Sequence, residues 1–306
     1  LVTVDENHQI QPNLAESWEV SPDGMSYTFH LKKGVKFHNG EELKASDVVY
    51  TVERFIVEEW MLFCSFMIEG AEVVDDYTVQ INLKYPYASF LGELDYMFIV
   101  NEKYMEEMGS AASQTPCGTG AYKFVKWDIA QQLQLEANED YFQGAPAIKN
   151  LTFKIITDSN TAYVELETGS ADFSWTISEM DYAQAQNNAK LATDKCMGNS
   201  CYFVHFNVDK VPKEVRQALC YAIDKEQMNL LVNEGAGIVT DLPLVEGQEG
   251  FTTDIQSYPY DVEKAKQILA DAGITTPIDV TLDVINSTPF TDMAQALQGS
   301  FAEAGI

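Results

Sequence analysis

Four histidines, five cysteines and 47 carboxylates are the side chains through which this 306-residue chain could make or break bonds. His8, His30, His38 and His205 are widely spaced. His30 and His38 are conceivable as a metal pair, but they lack the close helical arrangement with a carboxylate that builds a zinc site. The chain contains no HExxH, no GxSxG and no EF-hand loop, so the constellations of metalloproteases, serine hydrolases and calcium loops are not written in it. Adjacent acids such as Asp75-Asp76 and Glu58-Glu59 invite comparison with glycosidase carboxylates. Among so many acids, however, such pairs arise by chance and read as solvated faces. Gly118-Thr119-Gly120 lacks the GxxxxGK[ST] pattern and no helix follows it, so it reads as a turn and not as a phosphate cradle.

The cysteines (Cys64, Cys117, Cys196, Cys201, Cys220) form no CxxC and are too few and irregular for a disulfide scaffold. Cys196 and Cys201 are close enough in sequence for a local disulfide. The other reading makes all five small buried thiols, which suits Cys220 in its apolar helical pattern. Trp175 is a large aromatic set between the polar Ser174 and Thr176.

The elements that would position these residues are mixed. Tyr27, Phe29 and Leu31 alternate with Ser26, Thr28 and His30 after the turn Ser21-Pro22-Asp23-Gly24, the pattern of a half-buried strand. Val79, Ile81 and Leu83 repeat it after Asp75-Asp76, as do Leu133/Leu135 and Leu151/Phe153/Ile155. Gly34 and Gly40 bracket residues 35–39 as a short strand, with Trp18 a core aromatic beneath it. Residues 202–208 form a nearly continuous apolar run, which predicts a central strand covered on both faces. Helices are expected where Ser46 caps the stripe Val48, Val49, Val52, Phe55 and Ile56, and where Pro212 precedes Val215, Leu219, Ala222 and Ile223. Asp261 starts another that Gly273 stops, 161–168 stops at Gly169, and 296–306 stops at Gly305. The fold class is α/β, or mixed α+β, with more than one sheet.

The charge balance excludes several classes. Nineteen basic against 47 acidic residues leave a net charge of −28, which repels nucleic-acid phosphates and anionic membranes alike. Hydrophobic residues make up 46% of the chain, enough for a core, and no apolar run reaches the ~18 residues that span a bilayer. The excess is uneven: −13 over 1–110, −4 over 111–225 and −11 over 226–306. The near-neutral middle suits a segment lying between neighbours or facing a shared cleft. Because Leu1 already reads as strand and the last residues as a helix stop, the chain is expected to be cut from something longer.

Several segments together resemble the extracellular solute-binding proteins of ABC transporters, in the family that serves peptides, nickel and some sugars (family 5). They are LAESW (14–18), SPDG (21–24), YTFHLKKGVKFHNG (27–40), ASDVVY (45–50), GTGAY (118–122), LETGSAD (166–172), VRQALCYAID (215–224), and YPYD (258–261) leading into AKQILADAG (265–273). Their order and spacing carry the resemblance over essentially the whole chain. Ala121 stands where the family's GTGPY-type turn has proline.

The resemblance implies a periplasmic-binding-protein-like, two-lobed fold (type II, peptide-binding subclass), here incomplete and truncated at both ends. Residues 1–110 would be a nearly whole accessory lobe, 111–225 the central part of the lobe completed by the termini, and 226–306 the first part of the opposing lobe. It also implies an extracytoplasmic protein, periplasmic or lipid-anchored on the outer face of the cell membrane, and monomeric. Such a protein captures a peptide-type solute in an interlobe cleft and delivers it to ABC permease subunits, with no nucleic-acid partner, no cofactor and no catalysis. Trp60, Trp175, Thr176, Tyr202 and His205 match segments that reach toward the cleft and are the expected ligand contacts. Within the same family a nickel complex or a sugar is the alternative solute. From another class, a secreted acidic hydrolase of peptides or glycans is the alternative. With half the cleft absent, residues 1–306 alone are expected to be stabilised by a solute weakly or not at all.

Overall fold

A computed structural model describes residues 1–6, 9–58, 65–175, 177–196, 198, 200–244, 250–287 and 289–306. The chain divides into two compact units, Leu1–Ile156 and Thr157–Ile306.

The first unit opens with a two-stranded ribbon, β1 (Val2–Val4) and β2 (Ile10–Pro12). A four-stranded antiparallel sheet follows: β3 (Ala15–Val20), β4 (Ser26–Leu31), β5 (Ile68–Asp75) and β6 (Thr78–Leu83), in the order β3-β4-β6-β5. The strict alternation read in the sequence is realised in space. Tyr27 pairs with Ile81 and Phe29 with Val79, and all four side chains are buried with Leu31 and Leu83. Burial of each such side chain is worth about 1.5–3 kcal/mol, so this face nucleates the unit's core. Gly24 takes a left-handed φ of 70° in the β3-β4 turn, a region that costs glycine least. The Asp23 side chain closes that turn by accepting from Met25 N at 3.1 Å. Trp18 on β3 packs at the core's margin, as expected of a structural aromatic.

Helix α1 (Ala45–Val57) lies on β5 and β6 and buries Ala45, Val48 and Val52. Its N-terminus is not capped by Ser46, which lies inside the first turn. Asp47 does the work instead, one carboxylate oxygen accepting from Lys44 N at 2.9 Å. Its other oxygen accepts from Glu102 N at 2.9 Å and from Asn101 Nδ2 at 3.2 Å. Asp47 therefore ties α1 to a second helix start. Burial pushes its carboxyl above the ordinary range, opposed by these hydrogen bonds. Between the two helices lies a single turn, α2 (Phe90–Glu93), whose Phe90 is fully buried against Tyr27 at a ring distance of 4.7 Å. Helix α3 (Glu102–Met108) is capped by Asn101 Oδ1, which accepts from Tyr104 N. Residues 35–39 form turns around one bridge, Lys36 to Glu42, not a strand.

A second antiparallel sheet, β7 (Tyr122–Asp128), β8 (Gln132–Ala137) and β9 (Asn150–Lys154), completes the unit. Its register aligns Phe124 with Leu135 and Leu151, and Trp127 with Leu133 and Phe153. A bulge between Phe124 and Lys126 is what puts Phe124 and Trp127, three residues apart, on one face. Six apolar side chains thus share a face whose outer row stays open, Trp127 being 43% and Phe153 54% exposed.

The second unit is built on helices: α4 (Ser159–Glu167), α5 (Glu179–Gln186), α6 (Lys213–Ala222), α7 (Lys225–Asn233), α8 (Val262–Asp271) and α9 (Phe290–Glu303). Helices α6, α8 and α9 form its core through Val215, Ala218, Leu219, Ala222, Ala265, Leu269, Leu297, Phe301 and Ala304. The punctuation read in the sequence holds. Pro212 precedes α6, Asp261 Oδ1 accepts from Lys264 N at the start of α8, and Gly273 follows that helix at φ 70°. The expected central strand at 202–208 is corrected: no strand of the described residues pairs with it, and Tyr202, Phe203 and Val208 are exposed. The run has a strand's alternation but forms no ladder, because a ladder needs a second strand to supply its hydrogen-bond partners. Cys196 and Cys201 carry free thiols, Cys196 exposed. No described helix is long and apolar enough to cross a membrane.

Two stability measurements test this account. Replacing Phe29 by Ala should cost about 3–5 kcal/mol in urea unfolding, whereas Phe153→Ala should cost under about 1 kcal/mol. Equal costs would mean the second sheet's apolar face is covered. Asp47→Asn keeps the side chain's size but turns an amide N–H₂ toward a backbone donor, and should cost about 1–2 kcal/mol. A variant as stable as the parent would remove Asp47 from its place as the double cap.

Candidate functional site

The expected contacts Trp60 and Thr176 lie outside the described residues. Trp175, Tyr202 and His205 are all described and all belong to the second unit.

Trp175 sits on the loop between α4 and α5. Both ends of that loop are fixed by hydrogen bonds. At the α4 end, Asp158 caps the helix by accepting from Thr161 N at 2.8 Å, and Gly169 turns the chain away. At the α5 end, Ser178 N donates to Ser159 Oγ at 2.8 Å. The carboxylate of buried Asp181 accepts from the hydroxyls of Ser159 and Ser178 at 2.9 and 2.8 Å. These three polar residues satisfy one another, so the loop's two stems are clamped together. Between the stems Phe173 and Trp175 stand edge to face with ring centres 6.5 Å apart. Phe173 is 76% and Trp175 88% exposed. Large aromatic surface left in water on an anchored loop is unfavourable for folding and suited to contact with something else. Phe173 was missed in the sequence because it reads as the apolar end of the preceding segment.

Residues 202–206 explain how Tyr202 and His205 are placed. Alternation along the extended run turns Val204 and Phe206 onto the helical core, and Tyr202 shares their side, with its ring 5.8 Å from that of Phe290 on α9. The opposite side carries Phe203 and His205, whose rings meet edge to face at 4.6 Å. Tyr202 and His205 therefore occupy opposite faces of one segment, as the two-residue period requires. Tyr202 is 52% exposed and half committed to packing. His205 is exposed and backed by Phe203, a neighbour that the alternation itself would have marked. Among the described residues no ring contact joins Trp175 to either of them.

An open groove of about 810 Å³ lies along α4 and α5, lined by residues that include Tyr163, Glu167, Met180, Gln184 and Lys190. Trp175, Tyr202 and His205 are not among its described lining residues. For metal chemistry the described residues hold no group of three or more His, Cys, Asp or Glu that could bind an ion. The His30/His38 pair is not assembled: His30 lies on β4 with Nδ1 3.5 Å from Thr78 Oγ1, and both ring nitrogens of His38 are engaged by backbone groups. The side chains present can bury, stack and hydrogen-bond, which is binding chemistry.

Comparison with known proteins agrees. Heme-binding protein A of Haemophilus influenzae is 33% identical over 333 residues, covering 97% of this chain and 61% of its own length. The crystal structure of NikZ from Campylobacter jejuni in complex with Ni(L-His) superposes with a TM-score of 0.83 at 28% identity, covering 100% of this chain and 66% of that one. The periplasmic binding protein DppA from Helicobacter pylori, in complex with the peptide STSA, gives the same TM-score, identity and coverage. The fold is thus that of the two-lobed periplasmic binding proteins, of which this chain spans about two thirds. Residues 9–306 match the model of the bacterial extracellular solute-binding proteins, family 5 Middle, and the chain belongs to that family.

Proposed function

We propose that this chain is the substrate-binding component of an ABC importer, extracytoplasmic in location, which captures a peptide-type solute between two lobes and delivers it to a membrane permease. The observation that carries the reading is Trp175, an almost fully exposed indole on a loop clamped at both stems, in a chain whose relatives are solute-binding proteins. A rigid aromatic platform contributes contact area at small entropic cost. An extended peptide offers the backbone groups and side chains that such a platform and a neighbouring extended segment would hold.

In this reading Trp175 and Thr176 form one wall, Tyr202 and His205 lie along the 202–206 run, and Trp60 adds a second aromatic wall. Residues 1–110 form the accessory lobe, 111–225 the centre of the lobe that the termini complete, and 226–306 the start of the opposing lobe. Closing by hinge motion selects the bound form, and the permease reads that closed form. The acidic surface, with its net charge of −28, keeps the protein clear of anionic lipids and polymers. The nickel–histidine complex and the heme named for two relatives are the competing solutes. Peptide is favoured because exposed aromatic side chains beside an unpaired chain segment suit a peptide's side chains and backbone groups.

The test is calorimetric titration of the protein with di- to tetrapeptides, Ni(L-His) and heme, in the parent and in Trp175→Ala. A peptide should bind, and be recovered unchanged by mass spectrometry. Trp175→Ala should weaken that binding about tenfold or more (~1.4 kcal/mol) while shifting unfolding stability by less than about 0.5 kcal/mol. Hydrolysis of the peptide would place the protein among hydrolases. Binding of Ni(L-His) or heme in preference to every peptide would overturn the choice of solute, and undiminished affinity would remove Trp175 from the site.

A further inference from the structure

Within the first unit, the turn before β7 is held by a side chain 80 residues upstream. His38 Nε2 lies 2.9 Å from the carbonyl oxygen of Gly120, and Gly118 N lies 3.3 Å from His38 Nδ1. The backbone of His38 adds a third bond, its N–H donating to Gly118 O at 2.8 Å. The tautomer follows from donor and acceptor counting. Gly118 N–H can only donate, so Nδ1 must be the bare, accepting nitrogen. Gly120 O can only accept, so Nε2 must carry the hydrogen. The same carbonyl accepts from Asn138 Nδ2 at 3.1 Å, and Asn138 N donates to Ala121 O at 2.8 Å. One imidazole and one buried amide thus fix the segment that launches the second sheet.

This arrangement tolerates only a neutral ring. A proton on Nδ1 would set two N–H groups head to head and abolish the bond from Gly118. We propose that His38 is a pH-sensitive latch whose protonation releases the 117–120 turn and loosens the β7-β8-β9 sheet from the body of the unit. The charged and titratable groups around it are few. Lys123 on β7 repels a proton on the ring. Cys117 sits beside the His38 and Asn39 backbone, its thiol pushed up by burial. Glu41 is paired with Lys103 of α3 at 2.6 Å. Among the described residues no ion pair or hydrogen bond sets a carboxylate on the His38 ring. Burial, followed by the charge of Lys123, keeps the ring's pKa below the ordinary histidine value, while the bond to Gly120 opposes that fall.

The sign follows from linkage. A ring that resists protonation when folded contributes fully above the ordinary histidine pKa of about 6.5. That contribution is lost as pH falls from this value through the lower pKa of the latched ring, because the unlatched form takes up the proton first.

The experiment is nitrogen-15 NMR of the protein between about pH 7.5 and 5.5, a window spanning the ordinary histidine pKa. At the upper end, His38 should show a bare Nδ1 and a protonated Nε2. The protection of the 117–121 amides, corrected for intrinsic exchange, should fall by on the order of tenfold across the window. In His38→Gln, which cannot titrate, protection should be the same at both ends. Lys123→Gln removes the repelling charge, brings the pKa of the latched ring closer to the ordinary value and should shrink the fall in protection without moving its onset. A ring with the hydrogen on Nδ1 would overturn the proposal. So would protection that is flat with pH in the parent, or a fall in Lys123→Gln larger than the parent's. Should His38→Gln not fold, the parent's tautomer and the size of the Lys123→Gln fall decide alone.

Discussion

The carbonyl oxygen of Gly120 is where the first unit is joined to itself. Sheets and helices satisfy their own backbone groups, but the segments between them must find partners elsewhere, in other chain segments or in water. At residues 117–121 the partners are His38 from the loop after β4 and Asn138 from the end of β8. The meander that holds the core and the sheet that follows it are thereby held in register by one carbonyl with both lone pairs filled. Asp47 plays a comparable part nearby, since its two oxygens serve the starts of two helices. In both places a single polar side chain settles the geometry of chain segments far apart in sequence.

The second unit meets the same requirement differently. Its helices close their own hydrogen bonds and meet through an apolar core, while the loop carrying Trp175 is clamped by Ser159, Ser178 and Asp181. Polar residues fix the stems and leave the aromatic surface unspent. That division leaves rigidity to polar contacts at the stems and contact area to exposed aromatics. It accords with a family of solute-binding proteins.

Much of the fold was legible from local patterns. The alternation in 26–31 and 78–83 became the paired, buried rows of β4 and β6. Asp261 and Gly273 mark the ends of α8 as written. These signals work because strand pleat, helix caps and left-handed glycines are decided within a few residues. The readings that changed needed distant partners. Ser46 gave way to Asp47 because the better acceptor position depends on Lys44 and Glu102 together. Residues 202–208 have a strand's composition but no paired strand. Of the candidate site, Trp175 could be picked out by its polar neighbours, whereas its companion Phe173 emerged only from their ring contact.

By itself the sequence determined most of the element types, the turns, the acidic character and the likeness to a family, because each of these is carried by residue order over short spans. The tertiary structure alone decided that a β-bulge brings Phe124 and Trp127 to one face, that Tyr202 meets Phe290 of α9, and that His38 closes on a turn 80 residues away. Those facts depend on which segments meet, and a hydrogen bond or a ring contact between remote residues leaves no local pattern to read.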